Sequence, residues 1–229
     1  MTEIFAVSLL EESLFEKVKP KLLSGVPEVI RLKIESFARS NDAQRSLLGE
    51  LLVRHLLAGL TKTKLPDHPF TTGEKGKPAP DGYNGVHFNI SHSGQWVVAA
   101  LSPASVGVDV EKIRKVPEGV AHRFFSEAEN KMLQNAANES QKAEIFFTLW
   151  TLKESFLKAI GKGLTKSLGS FTIVETGLKQ YNLSNDPEAE GFFLKTFELS
   201  EGYKLAACAA NMQFCDHIKI LNTNELADL

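Results

Sequence analysis

Two acidic residues near the middle of the chain have the spacing that suits a divalent cation. In Val106-Gly107-Val108-Asp109-Val110-Glu111, apolar and acidic residues alternate with the period of a β-strand. Asp109 and Glu111 then share one face, and Val108 and Val110 the other. Carboxylates two residues apart on a strand repel each other, and a hard cation with oxygen ligands, Mg²⁺ above all, holds them at least cost. An edge strand with a solvated acidic face has the same pattern. The surrounding residues decide between the two.

A third carboxylate, Glu154, lies in the longest apolar pattern, which predicts a helix over 143–160 ended by Gly161-Lys162-Gly163. Glu154 and Lys158 are four apart and share a face, as a surface ion pair of a few tenths of a kcal/mol also would. Ser91-His92-Ser93-Gly94 sets hydroxyls, an imidazole and backbone N–H groups at one turn, as an anion site needs. A Ser–His hydrolase is rejected, because neighbours on a tight turn lack nucleophile–base geometry and no GxSxG elbow surrounds Ser91. Glu74-Lys75-Gly76-Lys77-Pro78 combines cations with a glycine that admits a ligand and a proline that stiffens the loop, which suits a phosphate or an ordinary surface turn. Arg45 adds charge on a nearby helix. A metal with cations in a cleft reads as chemistry on a diphosphate.

The elements that must position these groups follow from periodicity. A strand is expected over 4–9, then a helix over 26–38 with Val29, Ile30, Ile34 and Phe37 inward and Arg31, Lys33 and Arg39 as basic residues. A helix capped by Asn41 or Asp42 buries Leu47, Leu48, Leu51, Leu52, Leu56 and Leu57. Loops over 61–85 enclose a strand at Phe70-Thr71-Thr72, and 96–101 reads as a buried strand. A loop over 112–119 precedes Phe124-Phe125 and the capping box Ser126-Glu127-Ala128-Glu129. Strands at 171–174, 192–197, 203–209 and 218–221 alternate with polar turns such as 182–189.

At 229 residues and 43% hydrophobic, the chain has material for one domain or two small ones. A net charge of −2 gives no reason to expect nucleic-acid or membrane binding. Cys208 and Cys215 have no metal-site spacing and read as core residues. Without a signal peptide or an apolar run of eighteen residues, a cytoplasmic protein is expected.

The two halves echo each other. Gly59-Leu60-Thr61-Lys62 recurs as Gly163-Leu164-Thr165-Lys166, Pro69-Phe70-Thr71 as Ser170-Phe171-Thr172, and Trp96-Val97-Val98-Ala99-Ala100-Leu101 has a small-residue counterpart in 204–210. Three matches in one order predict an α+β pseudo-dimer, halves 1–104 and 105–229, with the active site in the cleft between them.

With these residues in hand the chain resembles the Sfp-type 4′-phosphopantetheinyl transferases. The resemblance rests on Gly76-Lys77-Pro78, Phe88-Asn89-Ile90-Ser91-His92-Ser93-Gly94, the acidic strand, Arg123-Phe124-Phe125-Ser126, Trp150-Thr151-Leu152-Lys153-Glu154-Ser155-Phe156-Leu157-Lys158 and Gly161-Lys162-Gly163, and it includes Gln44-Arg45-Ser46-Leu47-Leu48-Gly49. It implies a monomer that moves the phosphopantetheine arm of coenzyme A onto a serine of an apo carrier protein and releases adenosine 3′,5′-bisphosphate. Asp109, Glu111 and Glu154 are then the Mg²⁺ ligands, Glu154, Lys158 and His92 the catalytic residues, and Arg45, Lys77, Pro78, Ser91, His92 and Lys158 the coenzyme A pocket. Where family members carry phosphate-binding lysines, this chain has Val29 and Leu32, with Arg31 and Lys33 adjacent. Carrier contacts are expected at 112–119 and from Phe124. The alternative is a non-catalytic coenzyme A or nucleotide-binding module.

Overall fold

The computed structural model describes residues 1–61, 70–72, 78–80, 85–116 and 119–227. The first half runs β1 (Glu3–Ser8), α1 (Glu12–Ser24), α2 (Glu28–Glu35), α3 (Ser40–Thr61), β2 (Phe70–Thr72), β3 (Pro78–Pro80), β4 (His87–Ser93) and β5 (Trp96–Ser102). The second runs β6 (Val106–Lys112), α4 (Val120–Phe124), α5 (Glu127–Gln134), α6 (Glu139–Ile160), β7 (Thr172–Gly177), β8 (Gln180–Ser184), β9 (Phe193–Phe197) and β10 (Tyr203–Ala209), followed by β11 (Lys219–Leu221) and α7 (Thr223–Ala227). β5 lies antiparallel between β1 and β4, and β10 lies antiparallel between β6 and β9. Each half also carries one helix of 22 residues, α3 and α6. The fold is an α+β pseudo-dimer.

Strand alternation dictates its layering. Val97, Ala99 and Leu101 of β5 face the leucines of α3, while Val98 and Ala100 face the other way with Ile4 and Ala6. Those four meet Val106, Val108, Val110, Leu205 and Ala207 of the second sheet. Ala206, Cys208 and Leu194 on that sheet's far face pack on Phe146, Leu149, Leu152 and Phe156 of α6. Two sheets therefore stack between two helices, and Gly107, Asp109 and Glu111 lie on the α6 side of β6. The tail then crosses back. β11 pairs parallel with β1, and Leu226 of α7 is buried in the first half's core, so the range 105–229 ends on the opposite half.

Some elements differ from expectation. α1 is an additional helix; Pro20 inside it and the lysines around it mask the apolar spacing of Phe15, Val18 and Leu22. α2 is shorter than 26–38 and leans on α3 by one side only, burying Ile34 and leaving Val29 71% and Leu32 59% exposed. α3 starts at Ser40, and the N–H groups of Asp42 and Ala43 go to the carbonyl of Arg39, so neither Asn41 nor Asp42 caps it. β8 occupies part of the expected turn 182–189, because Tyr181 and Leu183 alternate into the second core. Gly59 lies inside α3 whereas Gly163 lies in a 3-10 turn beyond α6, so that tetrapeptide match is local coincidence.

Candidate active site

The site forms where the edge strand of one sheet meets the edge strand of the other. On β4, Phe88 and Ile90 turn toward the α3 core, and Asn89, Ser91 and Ser93 turn toward β6. Ser91 to Ser93 thus belong to the strand itself, and the turn begins only at Gly94. The expected four-residue turn gives way to alternation, the same signal that identifies β6. Gly94 takes φ of 55°, and a Cβ there would lie 2.3 Å from the Tyr203 hydroxyl, so the turn is fitted to a residue of the other half.

α6 brings the remaining groups. A Cβ on Gly107 would lie 2.0 Å from the Ser155 carbonyl oxygen and 2.5 Å from the Ala159 nitrogen, so β6 and α6 touch backbone to backbone. That approach lets Lys158 reach across. Its Nζ donates to Asp109 Oδ1 at 2.6 Å, Ser91 Oγ at 2.9 Å and the Val108 carbonyl at 3.1 Å. Gly107→Ala is expected to push α6 off β6, lowering the unfolding temperature by several degrees on the scale of a core overpacking cost of about 1–3 kcal/mol, with loss of transfer in parallel. Calorimetry and a transfer assay on the same sample check it; an unshifted transition removes the argument.

Asp109 is 5% exposed, and burial pushes its carboxyl up against the opposing pull of Lys158 and Ser91. Glu111 is raised by burial and then by Asp109; Glu154 is raised by burial, by Asp109 and by Glu111, with Lys158 opposing. The Asp109 charge thus disfavours the ionised forms of Glu111 and Glu154, and Glu111 adds to the effect on Glu154. Asp109 Oδ2 is buried and lacks a hydrogen-bond partner, the kind of atom a cation would satisfy. Among the described residues no three His, Cys, Asp or Glu side chains converge as a finished metal cluster. Asp109 instead turns Oδ1 to Lys158 and Ser91, and Glu111 turns Oε2 to Ser93. The donor set of hard oxygens fits Mg²⁺ in type.

On the other face of β4, exposed His92 lies near the first turns of α3. The protein around the ring and then the charges of Arg45 and Lys158 hold its pKa below the ordinary value, which favours neutral imidazole. Arg45 donates to the Gly94 carbonyl at 2.8 Å and pairs with Asp42 at 2.5 Å. Arg31 and Lys33 are exposed on α2. Pro78 opens β3, which lies alongside β4, and Lys77 lies outside the described residues. Sequence reasoning missed the parts played by Asn89 and Gly107 and put Ser93 in an anion-binding turn instead of facing β6; the period of two in Asn89, Ser91, Ser93 was the available signal.

Residues 105–208 match the model of the 4′-phosphopantetheinyl transferase superfamily, and residues 20–104 match that of the 4′-phosphopantetheinyl transferase N-terminal region. The chain is 34% identical over 217 residues to 4′-phosphopantetheinyl transferase Sfp of Bacillus subtilis (strain 168), covering 95% of this chain and 96% of that one. It is 39% identical over 206 residues to 4′-phosphopantetheinyl transferase gsp of Aneurinibacillus migulanus, covering 86% and 85%. L-aminoadipate-semialdehyde dehydrogenase-phosphopantetheinyl transferase of Mus musculus is 36% identical over 147 residues, 58% of this chain and 47% of the relative.

Proposed function

This chain belongs to the Sfp-type 4′-phosphopantetheinyl transferases, and from that premise we propose that it transfers the phosphopantetheine arm of coenzyme A to a serine of an apo acyl or peptidyl carrier protein as a cytoplasmic monomer. The observation that supports the reading is the ion pair of Lys158 with Asp109 at the junction of the two halves, close enough to Glu111 and Glu154 for the Asp109 charge to raise both of those carboxyls. Asp109, Glu111 and Glu154 would hold Mg²⁺, which when bound supplies charge neutralisation for the diphosphate. Glu154 takes the proton of the carrier serine as its Oγ forms the new bond to phosphorus. The phosphorus–oxygen bond to the nucleotide breaks, and adenosine 3′,5′-bisphosphate leaves with the electron pair. Lys158 and His92 meet the charge gathering on the phosphoryl oxygens, and Arg45, Lys77 and Pro78 line the coenzyme A pocket, whereas the buried Ser91 hydroxyl is already held by Lys158, Val110 and Asp109.

The carrier would dock beyond β6, at a groove of ≈ 500 Å³ lined by Lys115, His122 and Lys142 with Val116 and Leu133, against a single carboxylate, Glu139. Basic and apolar groups together suit an acidic helix. No helix among the described residues is long and apolar enough to cross a membrane. A non-catalytic binding module would be expected to lack a metal ligand, and all three carboxylates are present. The test is the intact mass of an apo carrier protein after incubation with this protein and coenzyme A. A gain of one phosphopantetheine with Mg²⁺ and none with chelator is expected. No gain on several carriers, with coenzyme A still bound, favours the binding module.

A further inference from the structure

One edge of β6 pairs with β10, and the other is covered by side chains of the opposite half. The Val108 N–H donates to Asn89 Oδ1 at 2.9 Å, the Val110 N–H to Ser91 Oγ at 3.4 Å and the Lys112 N–H to Ser93 Oγ at 3.1 Å. β4 thus presents alternate side chains where a neighbouring strand would present carbonyls. A backbone N–H can only donate, so each serine oxygen accepts there, and its single proton must go elsewhere. It goes to a carboxylate of β6. Ser91 Oγ donates to Asp109 Oδ1 and Ser93 Oγ to Glu111 Oε2, both at 2.9 Å. The third rung, Asn89, falls opposite Gly107, which has no side chain.

The consequence is directional. Each carboxylate has one oxygen tied to the first half, and for Asp109 the other oxygen is the buried atom without a partner. We infer that Ser91 and Ser93 are positioning residues that orient Asp109 and Glu111 toward the divalent cation, so that cation affinity depends on the junction of the halves; this rests on the function proposed above. Ser91 also receives Lys158 and is buried, whereas Ser93 sits at the rim beside exposed Lys112, where water can take over the freed N–H. Ser93 is therefore the position to change.

The experiment follows the unfolding temperature of the full chain, at fixed saturating coenzyme A, against Mg²⁺ concentration, for the parent, Ser93→Ala and Ser93→Thr. In chelator Ser93→Ala is expected to unfold within about 2 °C of the parent, as for a rim substitution, yet to need about 10-fold or more Mg²⁺ for the same stabilisation, the usual cost of losing a partner that orients a metal ligand. Ser93→Thr, which keeps the hydroxyl, restores the parent's midpoint. An unchanged midpoint in Ser93→Ala, an equal drop with and without Mg²⁺, or a Thr variant matching Ala overturns the inference alone. A parent that does not respond to Mg²⁺ overturns the metal reading and the inference with it.

Discussion

Glu154→Gln loses transfer by about 10²–10⁴-fold, the range for removing a general base, while the metal-free protein becomes equally or more stable. The activity half follows from the proposed role of Glu154 as acceptor of the carrier serine's proton. The stability half follows from electrostatics: burial and the neighbouring Asp109 and Glu111 raise the carboxyl of Glu154 above its ordinary value. The folded state then binds a proton that the unfolded chain has released, so stability falls as pH rises from the ordinary Glu value through the raised one. Above that window the whole penalty is present. Glutamine removes it, so the variant's advantage in chelator is greatest near neutral pH and vanishes below about pH 4, where the parent's carboxyl is protonated in both states. Glu111→Gln behaves alike in sign, since burial and Asp109 raise that group as well. Calorimetry in chelator at pH 4 and pH 7.5, beside the mass assay, checks both halves. A variant that is less stable at both pH values, or one that still transfers, contradicts the assignment, since catalytic carboxylates held against repulsion cost a fold stability.

What could be read from sequence is what lies within one element. The alternation at Asp109 and Glu111 and the apolar run around Glu154 and Lys158 identify β6 and α6, because each pattern is complete within a few residues. The Ser126 capping box is local for the same reason, and both of its hydrogen bonds form. What was not legible depends on partners far along the chain. Ser93 reads as a turn serine until β6, eighteen residues on, lies beside it. Val29 reads as an inward helical residue, and only the one-sided seat of α2 on α3 leaves it exposed. Gly107 reads as one small residue in a strand, and its need shows once α6 touches it. The capping-box Glu129 hides most of all, since its carboxylate also serves a lysine 24 residues away, and that lysine carries the other large effect.

Lys153→Met destabilises the protein by about 3–5 kcal/mol, the cost of removing one partner from a buried ion pair, and leaves the chemistry of the site in place. Lys153 and Glu129 are both fully buried, 2.8 Å apart. Nζ also donates to the carbonyls of Leu168 at 2.7 Å and Phe171 at 2.6 Å. Glu129 Oε2 accepts from the Ser126 N–H at 2.8 Å, and Oε1 accepts from the Ile173 N–H at 2.8 Å. One pair thus joins the start of α5, the middle of α6 and the start of β7. Burial pushes the Lys153 pKa down and Glu129 pushes it back up, so the ammonium is tolerated only because the carboxylate is there. Methionine keeps the bulk and leaves Glu129 charged without its cation, which is why the cost exceeds that of a lost hydrogen bond. For a chain of this length the loss corresponds to a fall of about 6–20 °C in the unfolding temperature. Lys153→Met/Glu129→Leu falls by less than the two single losses added together, because the second change removes the stranded charge; full recovery is not expected, since four backbone groups lose their partners. Lys153 points to α5 and β7 while Glu154, the next residue, faces Asp109 and Glu111, so the folded fraction at 10 °C retains transfer. Strictly additive losses, or a single variant melting within 2 °C of the parent, would show that the pair is not what holds α6 in place.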